Sequence, residues 1–244
     1  MKKILYIISA NFSGSTITDL ILANTKNGFS IGEAYAYFYD IGNHPDDPDC
    51  SCRNKNCQIW DKIGKSKENI YSNVFNLFPK IEYITDSSKN LDWIEYQSKN
   101  IKKYEQYYIF VYKHPIRWLK SREKRNYKLS FKKWLNYYKK AFKKFNPSFI
   151  LNLREFTKNT QKYIKKISNV CGISNKENQK FYWEKTHHIL FGSGTARKHL
   201  WSDDSIENYR QIYIPKKLDK YDNKLIEKFN NNNSVKKMLK RLEQ

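Results

Sequence analysis

The sequence predicts a single α/β domain of three layers with a central parallel sheet. Three observations carry that prediction. Short runs of apolar and β-branched residues (Ile4–Ile8, Lys80–Asp86, Tyr107–Tyr112, Phe149–Leu153) alternate with stretches of helical apolar spacing, the alternation that builds buried parallel strands. Several of these runs stop at small polar residues immediately before a helix. The chain has 244 residues, 39% hydrophobic and 16% aromatic, enough for one full core. No internal repeat and no linker divides it.

The first strand, Ile4–Ile8, ends in the turn Ser9-Ala10-Asn11-Phe12-Ser13-Gly14-Ser15-Thr16, and Ile17, Leu20, Ile21 and Leu22 then resume at helical spacing. Strand, tight turn and helix together aim free N–H groups and a positive helix end at one point, where an anion such as phosphate is held. Ser13, Ser15 and Thr16 add hydroxyls. The alternative is a plain capped helix with Ser13 or Ser15 as N-cap. The turn lacks the Lys of a G-x-x-x-x-G-K-[ST] loop and the glycines of G-x-G-x-x-G, so an ordinary nucleotide kinase and a dinucleotide enzyme are both disfavoured.

Next, Asn24–Gly28 reads as a turn and Phe29-Ser30-Ile31 as a short strand leading to Gly32-Glu33, with an aromatic helix over Ala34–Tyr39. That helix either lines an acceptor pocket or belongs to the core. Gly42–Cys57 is an irregular excursion anchored by Trp60, and Ile70–Leu77 an amphipathic helix. The second strand, Lys80–Asp86, runs into Ser87-Ser88-Lys89-Asn90 and a helix from Leu91 to about Lys103. Ligands of open α/β sheets lie outside the carboxyl ends of the strands, which aims Lys89 at the same crevice as Ser13–Thr16. The third strand, Tyr107–Tyr112, ends at Lys113-His114-Pro115, and Ser121 follows eight residues after Lys113. His114 reads as structural. Ser130–Phe145 is a helix with a core-facing aromatic stripe and a solvated Lys face. Phe149–Leu153 is a fourth strand, Thr157–Cys171 a helix stopped by Gly172, and Thr186–Arg197 a glycine-containing loop. The adjacent His187 and His188 face different ways on any regular element. From about residue 219 the tail is Lys/Asn-rich and helical at best.

The formal charge is +22 and the pI about 9.7, with a mean hydropathy of −0.84. Such charge fits an anionic membrane, another polyanion or a phosphorylated cofactor. It fits equally a Lys-, Asn-, Ile- and Tyr-rich composition of the kind AT-rich codons produce. Scarce Arg argues against base reading, so no specific nucleic acid is expected. No apolar run approaches the ~20 residues of a membrane span. Ile4–Ile8 is shorter than the ~7–15 residues of a signal-peptide core, which makes a cytoplasmic location the default.

Three of the four cysteines, Cys50, Cys52 and Cys57, fall in C-S-C-R-N-K-N-C within an insertion at about 42–60, and the fourth is Cys171. A zinc site needs a fourth ligand, for which the sequence offers His44 or Cys171, and the spacing is not that of a standard zinc knuckle. Free thiols, a disulfide and a metal all stay open. A loop-stapling role of unspecified chemistry is favoured, and no metal is assigned.

Taken in order, S-G-S-T, G-E, D-S-S-K, K-H-P-I-R-W-L-K-S, L-R-E and G-S-G-T-A-R resemble the motifs of the sulfotransferase superfamily that uses 3′-phosphoadenosine 5′-phosphosulfate (PAPS), over roughly Ile4 to Tyr213. The triple-Cys segment followed by Trp60 is similar to an insertion in some microbial members. The resemblance implies a P-loop NTPase-like sulfotransferase fold. It implies an enzyme moving a sulfuryl group from PAPS, leaving 3′,5′-adenosine bisphosphate (PAP), to a hydroxyl or amine, with no metal required for transfer. It implies that Ser13, Gly14, Ser15 and Thr16 hold the 5′-phosphosulfate, that Lys113 and Ser121 hold the 3′-phosphate, and that Arg197 closes over the nucleotide. Lys89 is implied near the leaving phosphate oxygen and Glu33 as general base. Two positions depart from the family pattern. Lys113 stands where an Arg is usual, giving charge without a bidentate fork. Phe12 stands where a Lys or Arg usually neutralises the transferring group, so either Lys89 or another cation replaces it, or catalysis is weak or lost. The acceptor is unspecified: carbohydrate, lipid, peptide or small metabolite. The competing readings are a P-loop kinase-like phosphotransferase and a catalytically inactive basic protein that binds nucleic acid or membrane on this fold.

Overall fold

The structure, a computed structural model, describes residues 1–39, 50–201, 212–215, 218 and 223–244. Strands β1 (Lys3–Ile8), β2 (Gly28–Ser30), β3 (Tyr83–Asp86), β4 (Glu105–Tyr112) and β5 (Phe149–Asn152) form one sheet in the order β2-β3-β1-β4-β5. Every neighbouring pair is parallel. The connection after β1 leads to β2 on one side of the sheet, and that after the adjacent β4 leads to β5 on the other. A crevice therefore opens beyond the carboxyl end of β1.

The alternation of side chains along β1 divides the interior into two layers. Ile4, Tyr6 and Ile8 face one core and Leu5 and Ile7 the other, all fully buried. The Leu5/Ile7 side is covered by α1 (Ser15–Leu22), α8 (Leu153–Lys158) and α9 (Thr160–Cys171). The Ile4/Tyr6 side is covered by α4 (Ile70–Leu77), α5 (Leu91–Asn100), α6 (Pro115–Glu123) and α7 (Lys132–Lys144). The aromatic stripe of α7 is core: Trp134, Tyr138 and Ala141 have no exposed surface. The tail adds α11 (Asn223–Asn230) and α12 (Asn233–Leu242), ordered by burial of Leu225, Val235, Met238, Leu239 and Leu242 in the same core. No described helix is long and apolar enough to cross a membrane.

Several sequence-derived boundaries are corrected. Of Lys80–Asp86, the strand begins only at Tyr83; Ile81 N–H donates to Phe78 O in a turn, and Lys2 Nζ donates to the Pro79 and Ile81 carbonyls. The expected helix over Thr157–Cys171 is two helices, because Asn159 sits at φ −131° and breaks the ladder. The helix from Leu91 ends at Asn100, and α3 (Ile59–Ile63), a five-residue helix too short for a periodic signal, had no prediction. The stretch expected as a glycine loop is helical from Gly194 to Trp201 (α10). Within the insertion, residues 40–49 lie outside the described part.

Candidate functional site

Between β1 and α1 the chain makes two left-handed residues, Phe12 at φ 66° and Gly14 at φ 89°. Gly14 is required twice over. Its φ disfavours any side chain, and a Cβ there would lie 2.5 Å from Leu153 Cδ1. Gly14, not a serine, is the N-cap of α1, and no side chain caps the helix. Its first-turn N–H groups therefore stay available, as the orphan donors of a helix start are, which rules against the plain-capping alternative. Ser13 and Ser9 are fully buried and their hydroxyls lack a hydrogen-bond partner. Orphaned buried hydroxyls beside an uncapped helix end fit an anion with oxygen atoms to share. Thr16 is shared with the late segment: Ser193 N–H donates to its Oγ1 at 3.0 Å, and Gly192 lies so close that a Cβ would meet Thr16 at 2.8 Å.

The second group stands at the end of β4. His114 caps α6 through its Nδ1, which accepts from Ile116 N–H, and its ring packs on Phe229 at 4.9 Å. Burial, with the nearby Arg117, pushes His114 down to about 4, so it is a neutral structural cap. Lys113 Nζ donates to Ser121 Oγ at 3.0 Å, one α6 turn beyond the Arg117 carbonyl that Ser121 itself bonds. The eight-residue spacing thus brings the two side chains together. Burial, followed by Arg125, Arg117 and Lys124, pushes Lys113 down to about 8. A partly buried ammonium surrounded by other cations is arranged for an anion.

The third group joins β2 to β3. Ser87 N–H donates to Gly32 O, Tyr35 N–H donates to Ser88 Oγ, and Lys89 Nζ donates to Glu33 Oε1 at 2.5 Å. Glu33 and Lys89, 56 positions apart, therefore form one ion pair. Lys89 adopts φ 61° and its carbonyl accepts from Tyr137 OH. Glu33 N–H donates to Phe191 O at 3.4 Å, which ties the pair to the segment before α10. Arg197, on the second turn of α10, is buried, and its N–H bonds Ser193 O.

Contacts bind these groups to one another. Trp118 Nε1 donates to Asn11 O at 2.7 Å, Trp134 Nε1 to Lys113 O, and Tyr138 OH to Val111 O. Sequence reading missed Arg125, whose guanidinium lies over the Phe12 ring at 4.6 Å while Nη1 donates to Ser121 O. Phe12 also meets Tyr127 at 5.5 Å. No spacing rule announces Arg125, because it sits past the end of α6 in a turn closed by Arg122.

Two buried carboxylates were also missed. Asp19 accepts from Thr85 Oγ1 and, at 2.8 Å, from Ser87 Oγ; burial pushes it up to about 7. Asp86 accepts from Tyr71 OH, Trp93 Nε1 and Ser88 N–H, and burial raises it as well. Both are spent on fixing the Ser87–Lys89 turn. Asp86, at the end of β3, takes three protein donors on a carboxyl group with about four acceptor sites, unlike the free carboxylate that holds Mg²⁺ beside nucleotide phosphates.

The cysteine segment is placed apart. Ligand atoms of Cys50, Cys52, Cys57 and His188 all lie within 4.8 Å of one another. Cys171 is buried in the other core, so it is not the fourth member, and His44 lies outside the described residues. His187 turns the opposite way, its Nε2 2.9 Å from Tyr182 O, as adjacent positions require.

No protein-family model and no curated protein matches the chain. Among the solved structures that match are two sulfotransferase domains. One is the sulfotransferase domain of the Synechococcus PCC 7002 olefin synthase, with TM-score 0.64 and 13% identity, over 100% of this chain and 95% of that one. The other is the sulfotransferase domain from the curacin biosynthetic pathway, with TM-score 0.61 and 13% identity, over 100% and 98%. The parallel sheet and the end-to-end superposition give this chain the fold of these sulfotransferase domains.

Proposed function

We propose that the chain is a PAPS-dependent sulfotransferase acting on a hydroxyl or amine. The observation that carries this is the Lys113–Ser121 pair within the Arg117, Lys124 and Arg125 cluster, connected through Phe12 and Asn11 to the uncapped turn Ser13–Thr16. Two anion sites so linked fit a ligand with a phosphate at each end of one nucleoside. PAPS supplies the sulfuryl group when bound. The 5′ end is held by the first-turn N–H groups of α1 and by Ser13, Ser15 and Thr16; the 3′-phosphate is held by Lys113 and Ser121. Arg197 and the 190–193 segment cover the nucleotide from the Thr16 side.

Glu33 takes the proton of the acceptor hydroxyl or amine, within reach of the crevice. Lys89, ion-paired with Glu33, would supply the cation that stabilises negative charge on the leaving phosphate oxygen. Arg125 supplies the cation that Phe12 does not. The partly exposed rings of Tyr35, Phe38 and Tyr39 gather around Trp93, at 6.3, 5.4 and 6.4 Å. They form an apolar platform beside Glu33, suited to an acceptor with an apolar body.

The burial of Asp19 and Asp86 and their engagement by protein donors weigh against the kinase reading. The test is thermal stability with PAP and, separately, with ATP–Mg²⁺. A ligand present at 100 times its Kd stabilises the folded state by about 2.7 kcal/mol. A shift with PAP that is lost in Ser121→Ala supports the assignment. A shift with ATP–Mg²⁺ alone would promote the phosphotransferase. A response to neither, with salt-sensitive binding to anionic vesicles or nucleic acid, would promote the inactive binding protein.

A further inference from the structure

We infer that Cys50, Cys52, Cys57 and His188 form a structural zinc site that clamps the insertion to the strap running into the candidate active site. The four ligand atoms lie within 4.8 Å of one another. His188 Nδ1 is 3.5 Å from Cys50 Sγ and 3.6 Å from Cys57 Sγ. Zinc–sulfur and zinc–nitrogen bonds of about 2.3 and 2.0–2.1 Å, at tetrahedral angles, give a sulfur–nitrogen edge of about 3.5 Å. The observed separations are already at that edge. Three thiolates and an imidazole are the Cys₃His set of closed structural zinc sites, and soft sulfur ligands select zinc over Mg²⁺ or Ca²⁺.

The surroundings serve such a site. Arg53 takes φ 59°, and its N–H donates to Cys50 O while Cys57 N–H donates to Asn54 O. The two turns bring Cys50, Cys52 and Cys57 to one side. Ser51 stitches the loop to the strap: its Oγ donates to His187 O and accepts from Ile189 N–H, and its N–H donates to Ile189 O. Trp60 Nε1 donates to His188 O at 2.6 Å, holding the backbone from which the imidazole projects. A cavity of about 370 Å³, lined among others by Cys52, Cys57, Lys62, Thr186 and His188, leaves the cluster open to an entering ion. A disulfide would use two thiols and give no role to an imidazole aimed at two of them.

Binding replaces three S–H protons: Zn²⁺ and three thiols with neutral His188 give a Zn(Cys⁻)₃His centre of net charge −1 and three released protons. The consequence for the neighbouring site is mechanical. His188 lies three residues before Phe191, whose carbonyl accepts from Glu33 N–H, and four before Gly192, which packs on Thr16. Metal at His188 therefore fixes the register of the strap against both Glu33 and the phosphate turn. This inference does not depend on sulfuryl transfer.

The full chain, purified under reducing conditions without chelator, is assayed for metal by mass spectrometry. The expected result is about one zinc per chain, retained in Cys171→Ser and lost in Cys52→Ser and His188→Ala. Because loss of a ligand can unfold a variant, the wild-type chain is also reconstituted with Co²⁺. Tetrahedral d–d bands and thiolate-to-cobalt charge transfer are expected, displaced by added Zn²⁺. Chelation is expected to lower the thermal midpoint and raise amide exchange at residues 187–193, and zinc to restore both. The inference is overturned if the wild-type chain carries no zinc and gives an octahedral cobalt spectrum. A disulfide among the three cysteines, or three freely alkylated thiols in the folded chain, would overturn it as well. Failure of PAP to bind a zinc-loaded chain would count against the sulfotransferase reading and leave this one standing.

Discussion

The ionisation of Lys113 gives the sharpest test of the proposed 3′-phosphate site. Its ammonium is held at about 8, against the usual 10.5, by burial and by Arg125, Arg117 and Lys124. At pH 7 about nine-tenths of the lysine is charged; at pH 9 about one-tenth is, each unit being a factor of ten. A phosphate at Lys113 binds the charged form and restores an ordinary lysine. The 3′-phosphate is itself a dianion over most of this range, its second ionisation being near 6. PAP should therefore bind about tenfold more weakly at pH 9 than at pH 7, about 1.4 kcal/mol. Binding at pH 8 should take up a fraction of a proton. Titration calorimetry in buffers of differing ionisation enthalpy reads both quantities. Lys113→Met should abolish the dependence and cost about 1.5–3 kcal/mol, the value of a charged hydrogen bond, or about 10- to 150-fold in Kd. Lys113→Arg should keep binding flat with pH. Adenosine 5′-monophosphate, which lacks the 3′-phosphate, should show no such dependence. A pH-independent Kd for PAP, or an equal loss with adenosine 5′-monophosphate, would refute the placement.

Four further outcomes are expected. Glu33→Gln should slow transfer by about a hundred- to ten-thousand-fold, the usual worth of a general base, with PAP affinity within about twofold; an equal loss of PAP binding in calorimetry would make Glu33 a nucleotide ligand instead. Asp19 holds its proton in the folded chain up to about 7 but releases it near 3.8 when unfolded, so its contribution is present at low pH and lost as pH rises toward 7. Denaturant titrations should show wild type losing about 3 kcal/mol relative to Asp19→Asn between pH 4 and 7, and a constant difference would contradict the buried-acid account. Gly14→Ala should destabilise by more than the about 1–2 kcal/mol of a left-handed side chain, because Leu153 Cδ1 stands 2.5 Å from the added carbon; the double variant with Leu153→Ala should cost less than the two singles summed, and strict additivity would remove the clash from the explanation. Arg125→Ala should slow transfer more than it weakens PAP binding, with partial recovery in Arg125→Lys, as single-turnover rates would show.

The strands were legible wherever a run of β-branched and aromatic residues met a small polar stop, as at Ile4–Ile8 and Tyr107–Tyr112. Each reappears in the sheet to within two or three residues. Boundaries failed where tertiary contacts decide them. Nothing local tells Lys80 and Ile81 that the Lys2 ammonium will hold Pro79 and Ile81 in a turn. The short α3 and the start of α10 carry too few residues for a period. Within the site, pairs set by one element were readable, such as Lys113 with Ser121 across two turns of helix. Pairs set by topology were readable only as members of one crevice, and the Glu33–Lys89 contact needed β2 and β3 side by side. His188 was missed as the fourth member of the cysteine cluster because 131 residues separate it from Cys57. Its neighbour His187 shows why the sequence offered only half a reason: one of the two had to face inward, and composition does not say which.

Phe12 tests whether a site can lose its usual cation and keep its chemistry. A Lys or Arg at that position would project from a left-handed turn that Gly14 and Leu153 already hold tightly. Phe12 gives up the charge but offers a ring face, whose quadrupole attracts a guanidinium by about 0.5–1 kcal/mol at an exposed position. Arg125 occupies that face at 4.6 Å and bonds the Ser121 carbonyl at 2.8 Å. Arg122 stacks on Trp118 at 5.0 Å and on Tyr127 at 4.8 Å, and Tyr127 in turn touches Phe12. The aromatic substitution and the displaced cation are thus two halves of one arrangement. It places a positive charge over the Phe12 ring and beside Ser121 rather than on the turn itself. In the proposed reaction Arg125 would therefore supply, from beside Ser121, the charge that position 12 lacks.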